Sequence, residues 1–178
     1  MTTEHHHGEQ PYWTDDRPLL RLPIGRSARL VRVRSHIAPE RYRGLGSETL
    51  FPLAERSGER SYVQSHLYFY APEESRREQR LADAQSWYYP APADRALVLW
   101  ELISSSWPWQ PNPDPREDFI FRSLWLAYER LLVERFPDAR QLFTTWEDTP
   151  YTRADWEGFL TTIGYRKSGE AAFSKEIR

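Results

Sequence analysis

"RALVLWELISSSWPWQPNPDPREDFIFRSLWLAYERLLVERF", residues 95–136, contains the succession of elements that decides the fold. Residues 95–104 form a nearly continuous apolar run, which is typical of a strand covered on both faces. Residues 104–118 hold four prolines and no glycine, which favours a stiff loop. Beyond this loop, apolar residues recur at helical spacing. The stretch therefore predicts a buried strand, a proline-rich loop and a long helix.

The boundaries of the long helix are signalled by residue type. Asp114 is a natural N-cap, Pro115 suits the first helical position, and Glu117 falls where a capping-box acid belongs. Pro137 ends the helix, because the residue before a proline avoids the α region. The helical spacing predicts that one face is buried; its apolar positions are Ile120, Leu124, Ala127 and Leu131, flanked by Trp125, Tyr128 and Leu132.

The segments on either side complete a mixed α/β domain. After the long helix we expect a strand at 140–148, a short helix at 153–164 closed by Gly164, and a last strand at 170–177. A strand–helix–strand unit implies parallel neighbours joined by a right-handed crossover.

The first half of the chain adds antiparallel strands. Residues 27–35, with alternating arginines, and residues 60–72, rich in aromatics, are predicted strands. Residues 38–57 suit one or two short helices, residues 73–85 an exposed helix or a mobile connection, and residues 86–95 a turn-rich segment that can open with a short strand. The expected fold is a mostly antiparallel central sheet with flanking helices, in one domain over residues 19–178.

Composition narrows the class of protein. The 178 residues carry a net charge of −2, which argues against nucleic-acid binding, although an arginine face at Arg29–Arg34 keeps that class as a weaker alternative. There are no cysteines, no apolar run long enough to cross a membrane and no apolar signal core, so we expect a cytoplasmic protein.

The N-terminal residues 1–18 are polar and predict a flexible arm. His5, His6 and His7 are potential metal ligands, but no further ligand stands at suitable spacing, so a tail or a tag remnant is the interpretation and no metal site is expected.

From residue 95 onward, the order of elements and several residues resemble the GNAT superfamily of acyl-CoA-dependent N-acyltransferases. The stretch "ADWEGFLTTIGY" is similar to the family pattern A-x-x-F-Y-x-x-x-G-F at Ala154, Phe159, Gly164 and Tyr165. The resemblance implies a central strand that leads into a pyrophosphate-binding loop and a long helix. It also implies that the splayed strand end at Leu102, Ile103 and Ser104 holds pantetheine.

Two departures from the family affect its chemistry. The family loop carries Q/R-x-x-G-x-G/A, whose glycines let backbone N–H groups approach the CoA pyrophosphate. Here only Arg116 is in place, Phe119 and Phe121 stand where the glycines belong, and acids crowd the first turn. The family's general-acid tyrosine is matched by Leu160, with Tyr151 or Tyr165 as substitutes.

An acyltransferase also needs a base for the amine. Glu101, on the central strand, is the first candidate, with pairing to an arginine as the alternative interpretation. Glu147, after the next strand, is the second candidate. His66 lies in a predicted strand and is either an outward-facing acid or base or a structural histidine.

Two hypotheses follow. One is a GNAT-like binding or regulatory module with a degenerate acyl-CoA site, for which no cofactor is expected. Its protein partner would contact Trp107 and Trp109, two rigid aromatic anchors that alternatively fold back onto the sheet. The other is a divergent N-acetyltransferase that uses acetyl-CoA, with Glu101 as the base.

Overall fold

A computed structural model describes residues 17–24, 27–42, 58–70, 79–90, 92–104, 115–145 and 151–177. These residues form eight strands, two α-helices and a one-turn 3-10 helix. In chain order the elements are β1 (Arg17–Ile24), β2 (Ser27–Tyr42), β3 (Gly58–Tyr70), β4 (Gln79–Tyr89), the 3-10 helix (Ala93–Arg95), β5 (Leu97–Ser104), α1 (Pro115–Arg135), β6 (Gln141–Thr145), α2 (Arg153–Thr162), β7 (Arg166–Lys167) and β8 (Ala172–Glu176).

All eight strands belong to one sheet, in the order β1-β2-β3-β4-β5-β6-β8-β7. Six neighbouring pairs are antiparallel, and only β5 and β6 run parallel. β5 precedes α1 in the chain and β6 follows it, and their parallel pairing is the arrangement that a strand–helix–strand order predicts. The predicted mixed α/β class with a mostly antiparallel sheet is therefore confirmed. No helix among the described residues is long and apolar enough to cross a membrane.

The predicted strand at 95–104 is confirmed as β5, and it is buried on both faces. Val98, Trp100 and Leu102 pack with the helices in the main core. Leu97 points to the other face, where it packs with Tyr89, Phe143 and Ala172. Two cores meet at this strand because β5 lies in the middle of the sheet.

The prediction of a helix or a mobile connection for residues 73–85 is wrong for the part of this segment that the structure describes. Residues 79–85 belong to β4. Leu81, Ala82 and Ala84 are buried on this strand. The sequence does not indicate this strand, because two of the three buried residues are alanines and all three stand among charged residues. Residues 73–78 lie outside the described residues.

Two further predictions are corrected at strand ends. Short helices were expected over 38–57, but residues 38–42 extend β2, which stays paired with β3 up to Tyr42 and Gly58. Residues 43–57 lie outside the described residues. The flexible arm was expected to reach residue 18, but Arg17 and Pro18 begin β1, which no sequence signal indicated. Long cross-strand pairing outweighs the local propensity in both places.

The second helix is stopped by backbone geometry. Gly164 has a φ of 96°, in the left-handed region. The N–H of Tyr165 donates to the carbonyl of Leu160 at 2.9 Å, and the N–H of Gly164 donates to that of Thr161 at 3.1 Å. These two bonds form a Schellman motif, which confirms the predicted helix end at Gly164.

A buried hydroxyl network fixes α1 on the sheet. The hydroxyl of Tyr128 lies 3.0 Å from that of Ser65 on β3 and 3.1 Å from that of Ser86 on β4. Ser65 also contacts Ser35 on β2 at 2.8 Å. Since each hydroxyl both donates and accepts, these four buried groups satisfy one another. The network sets the position of α1 along three strands.

Candidate functional site

The parallel strands β5 and β6 separate partway along their length. They pair only where Leu97, Val98 and Leu99 face Gln141, Leu142 and Phe143. Beyond this point β5 stays paired with β4 as far as Ser104, and β6 stays paired with β8 as far as Thr145. Among the described residues, β5 and β6 have no paired positions beyond Leu99 and Phe143, and we call this place the divergence of β5 and β6.

The residues predicted to hold pantetheine lie at this divergent end. Leu102 is 2% exposed and belongs to the core under α1, so its side chain is already packed. Ile103 is half-buried on the opposite face of the sheet. Ser104 ends the strand.

Aromatic side chains join β5 to the two helices next to this divergence. Trp100 is the first residue of β5 beyond the paired segment, and its ring centroid lies 4.0 Å from that of Trp125 on α1. Trp125 meets Trp156 on α2 edge-on at 4.7 Å. Trp156 in turn stacks on Tyr151, the first described residue after β6, at 5.3 Å. We call this group, completed by the contacts that Phe121 and Phe159 make with Trp156, the aromatic cluster: Trp100, Phe121, Trp125, Tyr151, Trp156 and Phe159.

Charged side chains in the first two turns of α1 make contacts with residues nearby. Glu117 and Asp118 are acidic residues of the first turn, where the helix dipole favours negative charge. Arg122 pairs with Asp118, with 2.6 Å between Nε and Oδ1. The guanidinium of Arg122 also lies 5.1 Å from the ring centroid of Tyr151 and 4.6 Å from that of Phe159.

The arginine that contacts the aromatic cluster, Arg122, is not the one that the resemblance implies. Arg116, the predicted pyrophosphate ligand, is exposed on the first turn of α1. Arg122 links α1 to the aromatic cluster, and the signal that could have identified it is its i,i+4 spacing from Asp118. Phe121, which stands where the family has a glycine, is 1% exposed inside the cluster.

The three positions considered for a general acid are all buried. Leu160 is fully buried and has no proton to donate. Burial, followed by the nearby charge of Asp118, raises the pKa of Tyr151, and its buried hydroxyl meets no partner at hydrogen-bond geometry. Burial, followed by the charge of Glu129, also raises the pKa of Tyr165, whose hydroxyl accepts a bond from Trp100 Nε1 at 3.2 Å.

The predicted base, Glu101, lies on the face of the sheet opposite α1. The strand registers place it in a row of directly paired residues that runs His36, Gln64, Gln85, Glu101 across β2 to β5. Glu101 is half-buried and has contacts of its own. It is thus separated by the sheet from the aromatic cluster, and the structure does not bring it together with Tyr151.

A second row beside the first contains a contact between a histidine and an aspartate, and the sequence did not indicate this pairing. His66 on β3 faces Asp83 on β4, with 2.6 Å between Nδ1 and Oδ1. Arg80 donates from Nε to the same carboxylate oxygen at 2.8 Å. Nη2 of Arg80 also lies 2.8 Å from Nδ1 of His66, which donates to Asp83 in one tautomer and accepts from Arg80 in the other. His66 is therefore held between a carboxylate and a guanidinium, at 41% side-chain exposure.

Several predicted residues fall outside the described part of the chain. These are Glu147, the second candidate base, Trp107 and Trp109, the predicted partner contacts, and the histidines at 5–7. Asp114, the predicted N-cap, also lies outside it. Within the described residues, no three His, Asp or Glu side chains come together as metal ligands would.

Alkaline conditions are expected to destabilise the fold through the buried tyrosines. Burial raises the pKa of Tyr128, Tyr151 and Tyr165 in the folded state, whereas unfolded tyrosine ionises near pH 10. Above about pH 10 the unfolded state binds fewer protons, so each such tyrosine lowers the free energy of unfolding by about 1.4 kcal/mol per pH unit. Below that pH their contribution is constant.

The variant Tyr151→Phe isolates one of these groups. We expect little change in the free energy of unfolding at neutral pH, because the hydroxyl has no hydrogen-bond partner. In the alkaline range, the free energy of unfolding should fall with pH less steeply than in the original protein, by about 1.4 kcal/mol per pH unit. Urea denaturation near neutral pH and between about pH 9 and 11, with tyrosinate absorbance recorded in parallel, measures both. Ionisation of every tyrosine near pH 10 in the folded protein would contradict the assignment.

No family model matches this chain, and neither a curated protein nor a solved structure is similar enough to match it.

Proposed function

We propose that this chain is a GNAT-like binding or regulatory module that does not use acyl-CoA. The observation that carries the proposal is the aromatic cluster at the divergence of β5 and β6. The resemblance places the acyl-CoA of the family at this divergence. In this chain ring contacts of 4.0 to 5.3 Å join Trp100 on β5 to Trp125 on α1, Trp156 on α2 and Tyr151 after β6, and a pantetheine arm at this place would have to separate them.

The sheet topology supports the GNAT-like part of the proposal. In the family, a central strand is followed by a long helix, a strand, a short helix and a final strand. The order β5, α1, β6, α2 and then the β7–β8 pair agrees with it, apart from the added two-residue β7. The single parallel pair falls where α1 forms the crossover.

The charges at the start of α1 support the loss of the cofactor. A pyrophosphate needs backbone N–H groups and unpaired positive charge at a helix N-terminus. Here Glu117 and Asp118 stand in the first turn and Arg122 is already paired with Asp118. An incoming diphosphate would meet two carboxylates before it could displace this ion pair.

Titration with acetyl-CoA and with free CoA tests the proposal. We expect no heat of binding and no change in melting temperature at millimolar ligand. Saturable binding in the micromolar range would overturn it, since a thousandfold excess over Kd stabilises a folded protein by about 4 kcal/mol. AMP and ADP serve as controls, because binding that they share would indicate a nucleotide site without acyl chemistry.

A divergent N-acetyltransferase remains the second candidate, because Glu101 lies on β5 close to the divergence, in a row of polar side chains. If the chain acetylates an amine, Glu101→Gln should lower kcat by about 10²–10⁴-fold, as the loss of a general base does. Gln64→Ala, two strands away in the same row, is the matched control and should leave kcat unchanged.

A further inference from the structure

A cavity of about 370 Å³ lies between β1 and α1, at the edge of the sheet farthest from β7. Ligand pockets in proteins start at about 300 Å³, so this volume suits a small molecule. The lining residues are Arg17, Pro18, Leu19, Leu20, Ser123, Leu126, Ala127, Arg130, Leu131 and Glu134.

Both walls of this groove include leucines. Leu19 and Leu20 line it from β1, and Leu126 and Leu131 line it from α1. Leu131 is 3% exposed and is part of the core, whereas Leu19, Leu20 and Leu126 are half-buried. A hydrocarbon body placed here would remove their remaining apolar surface from water, which is favourable by about 25 cal/mol per Å².

Positive charge dominates the rim of the groove. Arg17 is engaged with Glu134, at 3.7 Å between Nη2 and Oε2. Arg130 stands one turn before Glu134 on α1, and its side chain has neither a hydrogen bond nor an ion pair within the described part of the chain. The groove therefore presents one guanidinium whose five N–H donors are available to a ligand.

The edge of β1 is unsuited to pairing with another strand. The register of β1 skips Leu19 at a bulge, so Pro18 and Pro23 fall on the same alternation along the strand. Prolines in a sheet are accommodated where their missing N–H faces the open edge. With both on that side, the edge lacks donors for a regular ladder, which favours a ligand that needs no backbone pairing.

We propose that this groove binds an alkyl carboxylate of medium chain length. The chain lies against Leu19, Leu20, Leu126 and Leu131, and the carboxylate accepts two parallel hydrogen bonds from the guanidinium of Arg130. Ala127, at the middle of the α1 side, leaves the space that the chain occupies. The proposal does not rest on the function proposed above, because the groove and the aromatic cluster use different residues.

Calorimetric titration of the full chain with decanoate, below its micelle concentration, tests this proposal. We expect saturable binding of one molecule. Decanol, with the same chain and no charge, should bind at least about tenfold more weakly, since a charge-assisted hydrogen bond contributes about 1.5–3 kcal/mol and 1.4 kcal/mol is tenfold. Decyltrimethylammonium should not bind.

Three variants locate the site. Arg130→Gln should weaken decanoate binding about tenfold or more and leave decanol binding unchanged. Ala127→Phe should abolish binding of both by filling the groove. Arg21→Gln, which removes the same charge from an exposed position of β1 outside the lining, should leave binding unchanged.

Equal binding of decanoate and decanol, or equal effects of Arg130→Gln and Arg21→Gln, would overturn the proposal, as would the absence of decanoate binding. Arg130 is exposed, so its replacement leaves the fold intact and the test does not depend on Ala127→Phe. Failure of decanoate to bind would not change the expected outcome of the CoA titration. Binding of acetyl-CoA would likewise not change the expected outcome of the decanoate titration.

Discussion

Replacement of Trp156 by alanine is expected to lower the free energy of unfolding by about 3–5 kcal/mol, the range found for buried aromatic side chains truncated to alanine. Trp156 is fully buried, and its ring contacts those of Phe121, Trp125, Tyr151 and Phe159 at centroid distances of 4.7 to 5.9 Å. Its removal opens a cavity between helices that cannot close without moving α2. Since domains are stable by only about 5–15 kcal/mol, this single change would unfold a large fraction of molecules at elevated temperature.

Trp156→Phe separates packing from polarity. The indole N–H of Trp156 is buried and has no hydrogen-bond partner, so phenylalanine removes an unsatisfied donor while keeping a ring in place. We expect a loss well under half of that for alanine. Phe119→Ala is the control on α1, because Phe119 is 49% exposed and surface changes stay within about 0.5 kcal/mol.

Urea denaturation followed by tryptophan fluorescence and by circular dichroism measures these losses, provided that the slope with denaturant stays constant. A loss below about 1 kcal/mol for Trp156→Ala would show that the aromatic cluster is loosely packed. In that case the divergence of β5 and β6 would accept a pantetheine arm more readily, and the acetyltransferase alternative would gain support.

The second half of the chain was predictable because its signals are local and agree with one another. The long helix has apolar residues at helical spacing, and Ile120, Leu124 and Leu131 are buried as expected. Ala127 is the exception, since it is half-buried in the groove beside β1. Gly164 ends α2 through its positive φ, which only glycine adopts freely.

The first half was harder to predict because its strands are specified by partners and not by their own residues. β4 carries Arg80 and Asp83 on one face and small residues on the other, a composition that resembles an exposed helix. Its strand conformation follows from nine paired positions with β3 and eight with β5. β1 begins within the segment predicted as a flexible arm, and β2 supplies its pairing.

Most of the site could not be predicted from the sequence, because it too depends on contacts between distant residues. The residues proposed from the resemblance were placed on the correct elements, with Glu101 on β5 and Tyr151 after β6. Their separation by the sheet depends on the alternation of β5, which puts Trp100 and Glu101 on opposite faces. The aromatic cluster joins residues up to 59 positions apart, and no local pattern encodes such contacts.

The aromatic cluster and the hydroxyl network give α1 two different anchors. Trp125 contacts rings from β5 and α2, while Tyr128 reaches the serines of β3 and β4 one turn later. Packing fixes the helix against β5 and α2, and directional hydrogen bonds fix its position along β3 and β4. A cofactor that wedged β5 and β6 apart would have to move α1 against both anchors.

Replacement of Lys175 by methionine is expected to lower the free energy of unfolding by about 3–5 kcal/mol, the cost of leaving a buried charge without its partner. The ammonium of Lys175 on β8 lies 2.5 Å from Oε1 of Glu129 on α1. The side chain of Glu129 is 9% exposed, and its other oxygen has no hydrogen-bond partner. Methionine keeps the apolar stem beside Gly164 but leaves the carboxylate buried against Tyr165.

The reverse variant, Glu129→Leu, should cost less, about 2–3 kcal/mol, because Lys175 is 27% exposed and can keep part of its ammonium in water. The double variant, Glu129→Leu with Lys175→Met, should return to within about 1 kcal/mol of the original protein, since apolar residues of similar volume commonly replace a buried ion pair without loss. A double-mutant cycle by urea denaturation measures all three values. If the two single losses simply add in the double variant, the pair has no net coupling, and the contact between α1 and β8 would depend on packing alone. If instead Glu129→Leu is the more costly change, the lysine, not the glutamate, is the group that burial makes dependent on its partner.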